Sequence, residues 1–138
     1  MATTTFFGGP AVLTIGGTDF ADQCTDFSCE LGYDSLEVTA FGDTGHKMSK
    51  GLMTVSGSAT LFASYGATEV EGVLAGLVGN GTTTIVFKKA NAAEGADNPQ
   101  YTITNTMISV VPFAYNAQEM QTFQISWEGG TWARDVTP

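Results

Sequence analysis

Residues 53–65 read Met-Thr-Val-Ser-Gly-Ser-Ala-Thr-Leu-Phe-Ala-Ser-Tyr, and their alternation decides the fold class. The odd positions Met53, Val55, Gly57, Ala59, Leu61, Ala63 and Tyr65 are mainly apolar, and the even positions Thr54, Ser56, Ser58, Thr60, Phe62 and Ser64 are mainly hydroxylic. A period of two places these sets on opposite faces of one β-strand. Such a stretch spans roughly 43 Å at about 3.3 Å per residue, well beyond the usual strand of about 5–6 residues. Either Gly57 bends the strand, or the strand runs past its own domain.

Similar patterns lie on both sides. Phe27, Cys29, Leu31 and Tyr33 alternate with Asp22, Cys24, Asp26, Ser28 and Glu30, and Leu36 and Val38 then resume in the opposite register. The switch at residues 32–35 predicts a bulge or a turn. On this parity Cys24 and Cys29 point to opposite faces, which predicts two free thiols. Further strands are expected over residues 11–15, 82–88, 101–111 and 120–127. One segment has the helical period instead: Val70, Val73, Leu74 and Leu77 fall at i, i+3, i+4 and i+7. Thr68 with Glu71 gives a capping-box signature, and Gly79-Asn80-Gly81 supplies the stop, so a helix is expected over residues 68–78. A helix this short is marginal in water unless its stripe packs on the sheet.

The small, polar and acidic stretch 90–99 reads as an exposed loop. Residues 1–10 and 129–138 read as loose terminal arms around one domain, 11–128. The expected fold is mainly β, a β-sandwich or barrel of about 7–8 strands with one short flanking α-helix.

Composition narrows the function. The chain has 138 residues with 14 Asp or Glu against 5 Lys or Arg, a formal charge of -9. Clustered cations of the kind that clamp phosphates are absent, which argues against a conventional nucleic-acid binder. No apolar run reaches membrane-spanning length, and Met1–Phe7 lacks a basic start, so a soluble, cytoplasmically made chain without direct membrane insertion is expected. Cys24, Cys29 and the single His46 are too few and too dispersed for structural zinc. Asp43, His46 and Ser49 lie close in sequence, but a loop offers none of the rigidity a catalytic trio requires. The carboxylate pairs Asp22/Asp26 and Glu69/Glu71 lack the oxygen density and turn glycine of a calcium loop. Neither GxGxxG nor GxxxxGK[ST] occurs. No catalytic residue, cofactor or metal site is assigned, and Lys88-Lys89 reads as protection of a strand edge.

Residues 34–61, DSLEVTAFGDTGHKMSKGLMTVSGSATL, resemble the major tail tube proteins of long-tailed, non-contractile bacteriophages. The matching pattern is a strand ending in Val-Thr, then Gly-Asp-Thr, a short polar loop, Gly-Leu, and an alternating strand containing Gly-Ser. Gly45 and His46 stand where this family often carries an aromatic. The resemblance implies a virion protein assembled in the host cytoplasm. Six copies would close into rings that stack into a tube, in company with tail tip, tape measure and terminator proteins, while DNA passes without specific binding. Within that frame the hydroxylic face of residues 53–65 is expected to line a water-filled bore, with Asp22, Asp26 and Glu30 as lumen-facing acids. Ring stacking is assigned to the loop carrying Phe41, Gly42, Asp43, Thr44, His46, Lys47, Met48, Lys50 and Leu52. The rival expectations are another phage structural module, such as a capsid decoration or head-tail joining protein, or an Ig-like adhesion domain.

Overall fold

The computed structural model describes residues 11–66, 69–89, 92–113, 115, 117–118 and 120–137. The chain runs β1 (Val12–Ile15), β2 (Thr18–Asp19), β3 (Cys24–Glu37), β4 (Met48–Phe62), α1 (Val70–Leu77), β5 (Thr83–Lys88), β6 (Gln100–Val110), β7 (Thr122–Glu128) and β8 (Thr131–Asp135). All strand pairings are antiparallel, in the order β2-β1-β5-β6-β7-β4-β3, with β8 also on β6. This mainly β architecture with one short helix is the expected class.

The sheet folds over because β6 changes partners midway. Gln100–Ile103 pairs with β5 on one side and Gln100–Thr104 with β8 on the other, Thr106 adds one more pair with Thr83 of β5, and Met107, Ile108 and Val110 pair with β7. Between these halves Asn105 adopts φ 60°, the left-handed region that asparagine tolerates better than most residues. Opposite it, Gly130 has φ 93°, and a Cβ there would sit 2.3 Å from the Thr104 carbonyl oxygen. Only glycine fits that approach. The two layers enclose one apolar cluster in which Leu13, Ile15, Ile85 and Ile103 of one layer face Val55, Ala59, Leu61, Phe123, Ile125 and Trp127 of the other.

Helix α1 closes one end of this core. Val70 and Leu74 are fully buried, with Val73 and Leu77 packed beside them, which is the stripe read from the sequence. The start differs from the capping box. Thr68 lies outside the described residues, the N-cap position falls to Glu69 without a side-chain cap, and the Val70 N–H donates instead to Ser64 Oγ at 3.1 Å. The stop is as expected: Gly79 takes φ 81°, and the Asn80 N–H returns to the Leu77 carbonyl.

Three further readings are corrected. Residues 129–138 contain β8, whose Trp132 packs against the core and donates from Nε1 to the Gly32 carbonyl at 3.3 Å. The 1–10 arm lies outside the described residues. Cys24 and Cys29 are both free thiols, but both face the core, because the register shift between Cys24 and Asp26 leaves Thr25 as an extra residue and turns Cys24 inward. Lys88 is not at an edge, since β5 lies between β1 and β6; its Nζ donates to Ala92 O at 2.8 Å and pairs with Glu94 at 3.1 Å. A backbone N–H first, and then the Lys88 ammonium, hold the Glu94 carboxylate below its ordinary range.

Candidate functional surfaces

The face that β3, β4 and β7 turn away from the core is built by cross-strand register. Asp26 pairs with Thr60 and Thr60 with Gln124; Ser28 pairs with Ser58 and Ser58 with Ser126; Glu30 pairs with Ser56 and Ser56 with Glu128. Each of these residues stands at the solvent side of its strand because its neighbours Phe27, Cys29, Val55, Ala59, Ile125 and Trp127 point inward. The result is a three-strand field of hydroxyls, an amide and three carboxylates without a lysine or arginine among the residues in these rows. Gly57 lets this wall close on its core: a Cβ there would lie 2.6 Å from both the Ser28 carbonyl oxygen and the Trp127 ring.

Two of the three acids expected on this face are present, Asp26 and Glu30. Asp22 is not among them; it lies in the turn before β3, where the strand pairing has not begun. Sequence reading missed Glu128. Its alternation with buried Ile125 and Trp127 was visible, but its placement in line with Glu30 follows from pairing across β4, which no local pattern encodes.

The second surface is the hairpin formed by the far ends of β3 and β4. Residues 56–61 of β4 are flanked on both sides, by β3 and β7, whereas residues 48–54 pair only with β3. The long strand therefore runs past its own domain. The register switch near Tyr33 is a bulge, not a turn: between Tyr33 and Ser35 the partner advances from Met53 to Lys50. Beyond it Leu36, Val38, Met48 and Leu52 are exposed, and Phe41 at the tip is 109% exposed.

All nine residues assigned to ring stacking lie together on this projection, and the tip is internally braced. Asp43 accepts the Ala40 N–H at 2.7 Å and pairs with Lys47 at 3.1 Å. The Thr39 hydroxyl accepts the Lys47 N–H at 2.9 Å, and Gly42 supplies the turn at φ 93°. His46 Nδ1 bonds the Glu37 carboxylate. Asp43, His46 and Ser49 thus form no catalytic relay, since His46 and Asp43 are committed to other partners. Lys50 Nζ lies 4.9 Å from the centroid of the Tyr33 ring, a cation–π contact that keeps the ammonium along the hairpin.

A cleft of about 370 Å³ opens between Val12, Leu13, Phe27, Phe87 and Tyr101, with Asp26 and Lys88 at its rim. Its lining is mainly apolar and carries no histidine beside a nucleophile. Burial pushes the Cys24 thiol at this cleft up, and the same effect raises Cys29, partly offset by the Trp127 indole N–H. Both thiols are thereby held in their unreactive, protonated form. Among the described residues no cluster of three or more His, Cys, Asp or Glu converges as a metal site, and no helix is long and apolar enough to cross a membrane.

The fold as a whole is similar to chains in solved tail structures. The chain is similar to one in the SPP1 tail tube, with a TM-score of 0.74 at 11% identity, covering 96% of this chain and 80% of that one. It is similar to a chain in the anti-feeding prophage cap, the AFP tube terminating cap, with a TM-score of 0.72 at 13% identity over 99% and 95% of the two chains. A chain from the virion of a native gene transfer agent particle matches with a TM-score of 0.72 at 9% identity over 95% and 99%. No protein-family model and no curated protein sequence matches. The chain has the tail-tube-like fold that these tube and terminator assemblies share.

Proposed function

We propose that this protein is a wall subunit of a phage-type tail tube. Copies close side by side into rings, six per ring as the family resemblance implies, and the rings stack into a conduit for DNA. The observation that carries this reading is the Asp26–Glu30–Glu128 field, whose hydroxyl groups and carboxylates cross three strands without a cation in its rows. Placed on the bore, it repels phosphates at close range. Physiological salt limits that repulsion to about 8 Å, so it acts where the bore is narrow. A cationic wall would instead gain counterion-release free energy at each contact and hold the DNA back. The role is structural, not enzymatic, with tail tip, tape measure and terminator proteins as neighbours in the virion.

The supporting test is negative-stain electron microscopy of the concentrated protein, in which hollow, regularly striated rods are expected. Discrete single rings that never lengthen would favour a second reading, a tube terminator, which the likeness to chains of tube-terminating assemblies supports. Solid particles without a bore would overturn both. The lining is tested by replacing Asp26, Glu30 and Glu128 with lysine: tubes that form but release DNA more slowly support it, and unchanged release removes it.

A further inference from the structure

The turn between α1 and β5 holds the chain's single Asn-Gly pair, Asn80-Gly81. Its hydrogen bonds converge on one side-chain atom. Asn80 Oδ1 accepts the Thr82 N–H at 3.1 Å and the Thr82 hydroxyl at 2.7 Å. The first of these closes an Asx turn, a small ring of which the Gly81 nitrogen is a member. The asparagine backbone is pinned on both sides: its N–H donates to the Leu77 carbonyl at 3.0 Å, and its own carbonyl accepts the Thr83 hydroxyl at 3.1 Å. The Gly81 N–H and Asn80 Nδ2 have no protein partner among the described residues. Both residues are exposed, and a Cβ placed on Gly81 would meet nothing within 4 Å.

These features supply what imide formation requires. The electrophile is the Asn80 side-chain carbonyl carbon, and two donors on its oxygen stabilise the negative charge that develops there. The nucleophile is the Gly81 nitrogen, open to deprotonation by hydroxide, and the leaving amide nitrogen is not tied down. Glycine gives the backbone the freedom to bring the two together. The other described asparagines lack this combination. Asn98 precedes Pro99, which has no N–H to lose, and Asn105 precedes the buried, β-branched Thr106, which crowds the approach.

We infer that Asn80-Gly81 is a self-modification site, with the Thr82 N–H and hydroxyl as its oxyanion donors. The bond from Gly81 N to Asn80 Cγ forms, the Cγ–Nδ2 bond breaks, and ammonia departs with the proton. Water then opens the cyclic imide at either carbonyl, leaving aspartate or isoaspartate and one further negative charge. That charge arises beyond the C-terminal end of α1, where the helix dipole opposes it. The isoaspartate form also lengthens the main chain in a turn tied to the sheet, since the Gly79 N–H donates to the Ile108 carbonyl at 2.8 Å. Modification therefore loosens the joint between helix and sheet.

The purified protein is held at mildly alkaline pH and its peptides are followed by mass spectrometry. Asn80 should convert about tenfold or more faster than Asn105, yielding both isoaspartate and aspartate. Aspartate alone would mean direct hydrolysis and overturn the imide route, and conversion no faster than at Asn105 would overturn the site. Thr82→Val removes the hydroxyl donor at an exposed position and should slow conversion about threefold to tenfold, less than in a dry catalytic site. Thr82→Ser should stay within about twofold of the parent. Equal or faster conversion in Thr82→Val would mean that the threonine restrains the asparagine, overturning its assigned role. In concentrated urea, where the turn is lost, parent and Thr82→Val should convert alike; a difference that persists there would come from the local sequence and overturn the part given to the fold.

Discussion

The two halves of the β3–β4 hairpin are made by the same pairing and differ in what covers them. In the near half, β7 joins the ladder, Trp127 lies over Gly57, and Val55, Ala59 and Leu61 are buried. In the far half, the ladder has two strands only, and Leu36, Val38, Met48 and Leu52 face solvent. A two-stranded ribbon is marginal in water by itself, so the far half draws its rigidity from continuity with the near half and from the Asp43, Thr39 and Lys47 bracing at its tip. Apolar surface held out in this way marks an interface. The near half holds the fold together, and the far half leaves its apolar side chains in solvent, on the surface to which the proposed stacking is assigned.

This contrast can be broken at several points. Trp127→Ala, in the near half, should cost about 3–5 kcal/mol of stability, read from urea unfolding; a loss below about 1 kcal/mol would mean that the near half does not anchor the hairpin. Gly57→Ala should cost about 1–3 kcal/mol, because the added methyl meets the Ser28 backbone and the Trp127 ring in a packed wall. In the far half the pattern inverts. Phe41→Ala with Leu52→Ala should leave monomer unfolding within about 0.5 kcal/mol, as expected for solvent-facing positions, while suppressing rods in electron micrographs. Unfolding that falls with rod formation would erase the distinction between the halves.

The smallest effect is on pH dependence. Burial raises both thiols above their ordinary 9.0, so the folded chain keeps these protons when the unfolded chain sheds them. Their contribution is fully present below the unfolded value and is lost as pH rises through the folded one. Stability should therefore decline on the alkaline side of about pH 9, and Cys24→Ala with Cys29→Ala should flatten that decline in chemical denaturation. A steeper alkaline slope in the double variant would contradict the assignment.

What the sequence made legible was local, though not the helix start, where the N-cap falls to Glu69 and not Thr68. The odd–even contrast from Met53 to Leu61 identified the wall strand, and the spacing of Val70, Val73, Leu74 and Leu77 identified the helix and its buried side. What escaped depended on partners distant along the chain. Strand β8 is short, follows two glycines and ends in Arg134 and Asp135, so nothing nearby marks it; Trp132 gains its meaning from the Gly32 carbonyl. The inward turn of Cys24 depends on one extra residue opposite Leu61 and Thr60. Lys88 looked like an edge lysine until β1 was found on one side of its strand and β6 on the other. On the proposed lining, Asp26 and Glu30 were readable from β3 alone, whereas Glu128 joins them only through the register of β4.

The partner exchange in β6 has a mechanical consequence. One strand belongs to both layers, and the switch at Asn105 is pinned by Gly130 against the Thr104 backbone. Shear applied to one layer is therefore delivered to the other along a covalent path, without relying on side-chain friction between them. In the proposed tube, such stitching through each subunit's own thickness would resist delamination under bending or pressure.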